Sequence, residues 1–300
     1  VAEAYKASLP VVFMTSDIPL HLETRNMLTG LDQTSMFSGI TKETYTITNP
    51  GQIPHTIRRA FRVPTTGKPG PVHIRLPYDI LQGETVDPDL YSQKDFTKYP
   101  GHRPVAETAK IVEALKLLGE AENPVIIAGQ GALYSQAWDE LVSVAEMFIA
   151  PVGTTINAKG VMPEMHPLSI GVIGARGGTT LSNRVICEAD LIFFVGSSTD
   201  SAGTDKWTVP GVDTDAKIIQ LDISEHEAGN NYDVDVILIG DAKATLGWML
   251  ELANVSPREM EKLPRIQALI NAKEEPSVYV AGLMSSNEKP IHPVRVIKEL

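Results

Sequence analysis

Short apolar runs rich in valine and isoleucine alternate along this chain with longer stretches in which apolar residues recur every three or four positions. The runs at 11–15, 72–76, 125–128, 152–155, 191–195, 218–221 and 236–239 read as strands. Pro10, Pro71, Pro124 and Pro151 each stand before such a run, where a missing N–H does little harm to the ladder. Within the runs there is little polar alternation, so both faces of the sheet are expected to be covered. Helical spacing is clearest at 106–118, with Ile111, Leu115 and Leu118 on one face and Gly119 as a stop. Further helices are predicted at 54–63, 138–148, 179–188 and 242–252, with a more polar one at 257–272. Strand and helix alternate from 106 to 253. That order predicts an α/β fold with a doubly wound, mostly parallel, Rossmann-like sheet, preceded by part of a second α/β domain.

Prolines 88, 100 and 104 and many polar residues break this order. The expected division is therefore a first unit at 1–83, a linker at 84–104, a central domain at 105–255 and a connecting segment at 256–300. A helix-like stretch opens the chain without methionine, and His292-Pro293 starts a helix that is still running at Leu300. Protein is expected on both sides of the sequence.

Composition narrows the function classes. The formal charge of −11 disfavours nucleic acid and anionic membrane surfaces, which reward clustered Lys and Arg. No apolar run reaches the roughly 18 to 20 residues that a spanning helix needs. A single cysteine, Cys187, excludes an internal disulfide and fits a reducing, cytoplasmic compartment; it reads as a small buried hydrophobe. The seven histidines show no paired metal spacing, so no metal site is expected within the chain.

Four features could carry chemistry. Gly129-Gln130-Gly131-Ala132 follows a strand and opens a helix, where backbone N–H groups can approach a phosphate; it lacks the third glycine of the dinucleotide fingerprint, so a tight turn explains it as well. The loop Gly171 to Gly178 holds Gly174 and Arg176 and could lay an anionic ligand along its backbone, or simply be a solvated loop ahead of a helix capped by Thr179 or Thr180. Asp222 ends a strand at the edge where parallel sheets bind ligands, and an acid there can accept ribose hydroxyls. Asp241 ends another strand; it is a further crevice candidate, although capping the helix after it is the stronger reading.

The stretch Thr65-Thr66-Gly67-Lys68-Pro69-Gly70-Pro71-Val72-His73-Ile74-Arg75-Leu76-Pro77-Tyr78-Asp79 resembles the end of the pyrimidine-binding domain of acetolactate synthase-like thiamine diphosphate enzymes. Asn123 to Gly129, Pro151-Val152, Lys159-Gly160, Glu164 to Leu168, Ala189 to Ile192, Ile219 to Ile223 and Gly240 to Ala242 are similar to their central domain, in the same order. The resemblance implies a thiamine diphosphate- and Mg2+-dependent decarboxylase or carboligase of 2-keto acids, assembled as a homodimer or homotetramer. It further implies that the essential glutamate lies before Val1, that the metal-binding motif lies after Leu300, and that Gln33 and Lys42 neighbour the active site. The family's middle domain is structural or binds FAD. Where the synthases carry an arginine after the strand ending at Val195, this chain reads Gly196-Ser197-Ser198-Thr199-Asp200, which leaves FAD and acetolactate formation open. Two other readings stay open: a nicotinamide-dependent enzyme using the glycine loops, and a non-catalytic nucleotide-binding or assembly module.

Overall fold

The computed structural model describes residues 1–84, 90–253, 263–274 and 278–300. Among the described residues, nine strands form two wholly parallel sheets. β1 (Val12–Asp17), β2 (Glu43–Thr46) and β3 (Val72–Pro77) make the first, in the order β1-β3-β2. β4 (Pro124–Ala128), β5 (Val152–Thr154), β6 (Ser169–Val172), β7 (Leu191–Val195), β8 (Lys217–Asp222) and β9 (Val236–Ile239) make the second, in the order β6-β5-β4-β7-β8-β9. The chain steps outward from β4 through β5 to β6, returns beside β4 as β7, and continues to β8 and β9. Counted from β4, this is the 3-2-1-4-5-6 order of a doubly wound fold, with its switch point between β4 and β7.

The apolar runs dictate this arrangement. In β4, Ile126 and Ala128 face one core with Phe193 and Val195 of β7 and Leu141, Val144, Leu246 and Met249 of the helices Trp138–Phe148 and Ala242–Leu252. Val125, Ile127, Ile192 and Phe194 face the other core with Ile186 of the helix Thr180–Cys187. A strand buried on both faces has no polar side to show, which is why these runs do not alternate. The edge strand β9 departs from that rule: Val236 and Leu238 are buried, whereas Ile237 and Ile239 are 37% and 40% exposed.

Two strands do not follow from apolar runs. β2 reads Glu-Thr-Tyr-Thr and β6 reads Ser-Ile-Gly-Val; both lie at sheet edges, where one neighbour suffices and polar residues are tolerated. The predicted stop at Gly119 is also displaced: the helix Thr108–Glu120 runs through it, and the chain turns extended only at Ala121. Cys187 is exposed rather than buried, at the last turn of its helix. The boundary expected at 254–257 falls outside the described residues, and the polar helix expected from 257 is seen as Pro264–Glu274.

Residues before the second sheet are tied to both units. Gly101 N–H donates to the Thr65 carbonyl at 2.9 Å, and Asp241 N–H donates to the Pro104 carbonyl at 2.7 Å. Lys68, from the loop before β3, pairs with Glu227, from the turn after β8.

Candidate functional site

A crevice opens at the carboxyl ends of β4, β7 and β8, at the switch point of the second sheet, and Lys68 and Tyr99 reach it from outside that sheet. Its floor is set by two turns that touch. Gly129 N–H donates to the Val195 carbonyl at 2.8 Å, and Gly131 N–H donates to the Gly196 carbonyl at 2.8 Å. Gly196 sits at φ +61°, and a Cβ there would lie 2.4 Å from the Ala132 nitrogen. Only glycine permits that approach. The N–H groups of Gly129 and Gly131 are therefore engaged within the protein, and at these two positions the turn lends the crevice close backbone packing.

Gly174 and Arg176 come from the loop after β6. Gly174, at φ +81°, packs against the Ala202 and Gly203 carbonyls and donates its N–H to Asn183 Oδ1 at 3.0 Å. Arg176 lines the crevice itself. Thr179 caps the following helix: its hydroxyl accepts from Ser182 N–H at 3.0 Å, and Ser182 Oγ accepts from Thr179 N–H at 2.9 Å.

Asp222 is the acid of the site. It is 8% exposed and lines the crevice; one carboxylate oxygen accepts from Ser224 N–H at 2.8 Å. Burial pushes its carboxyl up to about 6, against the stabilising Ser224 hydrogen bond and the Lys68 charge. An acid held at this disadvantage at the mouth of a crevice is the usual mark of a binding or reacting group. Tyr99, half-buried on the same crevice, has its phenol raised above its ordinary value, first by burial and then by the charges of Asp241 and Asp222.

Asp241 lies elsewhere. It is 2% exposed, accepts from Ala244 N–H at 3.0 Å as the cap of the helix Ala242–Leu252, and holds Arg103 Nη1 at 2.9 Å and Ser135 Oγ at 2.8 Å. With its oxygens taken by the scaffold and no place in the crevice wall, it corrects the ligand-binding assignment in favour of capping.

Gln33 and Lys42 belong to the first sheet. Gln33 begins the helix Gln33–Ser38, capped by Asp32, and lies against the carboxyl end of β1, where its Nε2 donates to the Ser16 carbonyl at 3.0 Å. Lys42 is a backbone clamp: its ammonium donates to the carbonyls of Val63, Thr66 and Lys68 at 2.7, 2.7 and 2.8 Å. All three protons are used, and burial pushes the amine down to about 8. The clamp fixes the loop that carries Lys68 into the crevice. Lys42→Met is expected to destabilise the chain by about 2 kcal/mol, since charged donors to three carbonyls are lost, and to speed amide exchange at 66–70; a urea midpoint and hydrogen exchange check both.

Sequence reasoning missed Lys68, Glu227 and Tyr99 as crevice residues. Among the described residues, no group of three or more His, Cys, Asp or Glu is placed to hold a metal ion. No helix of the described residues is long and apolar enough to cross a membrane.

A parallel sheet in this order, with a glycine-packed switch point and a buried acid at its rim, defines a doubly wound α/β domain. Residues 111–249 match the family model of the thiamine pyrophosphate enzyme central domain. It is 36% identical over 304 residues to a protein of Methanocaldococcus jannaschii named "Probable acetolactate synthase large subunit", covering 100% of this chain and 50% of that protein. It is 34% identical over 273 residues to the acetolactate synthase large subunit of Corynebacterium glutamicum, covering 88% and 41%. Likeness to the glyoxylate carboligase of Escherichia coli O157:H7 is 28% over 263 residues, covering 86% and 42%. Among solved structures, one described as "a putative thiamin diphosphate-dependent enzyme isolated from Mycobacterium smegmatis" shares the fold, with a TM-score of 0.70 at 19% identity over 86% of this chain and 48% of that one. The chain spans about half the length of the curated relatives it matches.

Proposed function

We propose that the parent protein is a cytoplasmic, homo-oligomeric enzyme that uses thiamine diphosphate and Mg2+ to decarboxylate a 2-keto acid or to transfer the resulting acyl unit. In it, residues 1–83 are the late part of the pyrimidine-binding domain, 84–104 a linker, 105–255 the central domain and 256–300 the passage to the next domain. The described residues of this chain do not fit the metal-bound cofactor, since they offer no cluster of metal ligands. None of the described residues is given a part in the thiazolium chemistry. What this chain provides is the crevice, which we read as the seat of a nucleotide-type ligand, with FAD or a simple adenosine diphosphate as the test compounds.

The observation that supports this reading is Asp222: a carboxylate held at the rim of the switch point against the cost of burial, with Arg176 and Lys68 on the same crevice wall. Such an arrangement suits ribose hydroxyls beside a phosphate. The nicotinamide reading fares worse, because Gly129-Gln130-Gly131-Ala132 lacks the third glycine of the dinucleotide fingerprint.

Activity is tested with the full-length protein, thiamine diphosphate and Mg2+, by following CO2 release from pyruvate and from glyoxylate. Release that requires both cofactors is expected, and no release from the 300-residue chain alone. A full-length protein inert toward both acids, or active without the cofactor, would count against the proposal.

A further inference from the structure

The first sheet contains a polar chain, centred on one buried histidine, that crosses all three of its strands. His73 of β3 is fully buried, with the rings of Phe37 and Phe13 at 4.2 and 6.1 Å. Its Nδ1 meets Thr44 Oγ1 of β2 at 2.6 Å, and its Nε2 meets Thr15 Oγ1 of β1 at 2.7 Å. Thr15 in turn donates to Gln33 Oε1, and Gln33 Nε2 donates to the Ser16 carbonyl.

The direction of this chain is forced from its far end. A carbonyl accepts only, so the Ser16 oxygen fixes which end of the Gln33 amide is nitrogen. The Gln33 oxygen then takes the single hydroxyl proton of Thr15. With that proton committed, the Thr15 oxygen can only accept from His73, so Nε2 carries the imidazole proton. A neutral ring then leaves Nδ1 to accept from the Thr44 hydroxyl. Burial first, and the nearby Arg75 charge second, hold His73 below its ordinary value, in keeping with a neutral ring.

We propose that His73 is a positioning residue which, through Thr15, fixes the orientation of the Gln33 carboxamide at the carboxyl end of β1. In that orientation one Gln33 N–H remains beyond the bonds named, suited to a carboxylate or carbonyl oxygen of a 2-keto acid. That last clause rests on the function proposed above; the positioning itself does not.

Two measurements separate them. Long-range 1H–15N NMR on the 300-residue chain reads the tautomer in the unaltered protein: a neutral ring protonated at Nε2 is expected, and protonation at Nδ1 or at both nitrogens overturns the proposal. In the same spectra, Thr15→Ser should leave the Gln33 side-chain amide unchanged, whereas His73→Phe should speed its exchange with water by about fivefold to tenfold, the worth of one neutral hydrogen bond. An unmoved amide in a folded His73→Phe protein also overturns it. In the full-length enzyme, His73→Phe and Gln33→Ala should raise KM for the keto acid by a similar factor with kcat little changed. A KM effect confined to Gln33→Ala contradicts positioning, and absence of any keto acid turnover contradicts the proposed function while leaving the NMR result to stand.

Discussion

Gly196→Ala is expected to destabilise the second sheet by about 4 kcal/mol, enough to unfold much of the chain at physiological temperature. A left-handed backbone costs a non-glycine residue about 1 to 2 kcal/mol. The remainder arises because the new methyl would sit 2.4 Å from the Ala132 nitrogen and 2.7 Å from the Gly131 carbonyl carbon, backbone atoms that cannot turn aside. Relief would require the turns after β4 and β7 to separate, breaking the bonds of Gly129 and Gly131 to the Val195 and Gly196 carbonyls. Urea unfolding followed by far-UV circular dichroism checks this. A variant within 1 kcal/mol of the parent would show that the two turns are not held as tightly as described.

Asp222→Asn should act in the opposite sense. The folded carboxyl lies at about 6, above its ordinary 3.8. A proton is therefore bound more tightly in the folded state, so the stability this group contributes is full below about pH 4 and is lost as pH rises through 6. The loss by pH 7 is on the order of 3 kcal/mol. Asparagine carries no charge to bury, keeps an oxygen for Ser224 N–H, and should both raise stability at pH 7 and flatten its dependence between pH 4 and 6. Unfolding midpoints at pH 4, 5, 6 and 7 for the two proteins test the sign. A stabilising substitution at a crevice residue would mark Asp222 as retained for a ligand rather than for the fold.

The contrast between these two residues shows what the sequence could and could not convey. The doubly wound sheet was legible because strands buried on both faces must be apolar throughout, as Leu191–Val195 is, and because prolines open them. β2 and β6 were not, since edge strands accept threonine and serine and lose the pattern. Asp222 could be placed at a strand end from its neighbours alone. Its companions could not: Lys68 and Glu227 meet across 159 residues, and no local pattern predicts that meeting. Asp241 and Asp222 look alike in sequence, each an acid closing a strand, yet the first turns into a helix cap because Ala244 and Arg103 claim its oxygens. Lys42 stood out by resemblance, whereas its three carbonyl partners became visible only once the loop at 63–68 was folded around it.

The central proposal is that the crevice is a ligand site in which Asp222 takes part. Calorimetric titration of the 300-residue chain with FAD and with ADP at pH 7, repeated at pH 5 and with Asp222→Asn, tests that directly. Saturable binding of at least one compound is expected, weakened at pH 5 as the carboxylate takes its proton and weakened about tenfold by the substitution. No binding of either compound, or equal affinity in the folded Asp222→Asn protein, would contradict it.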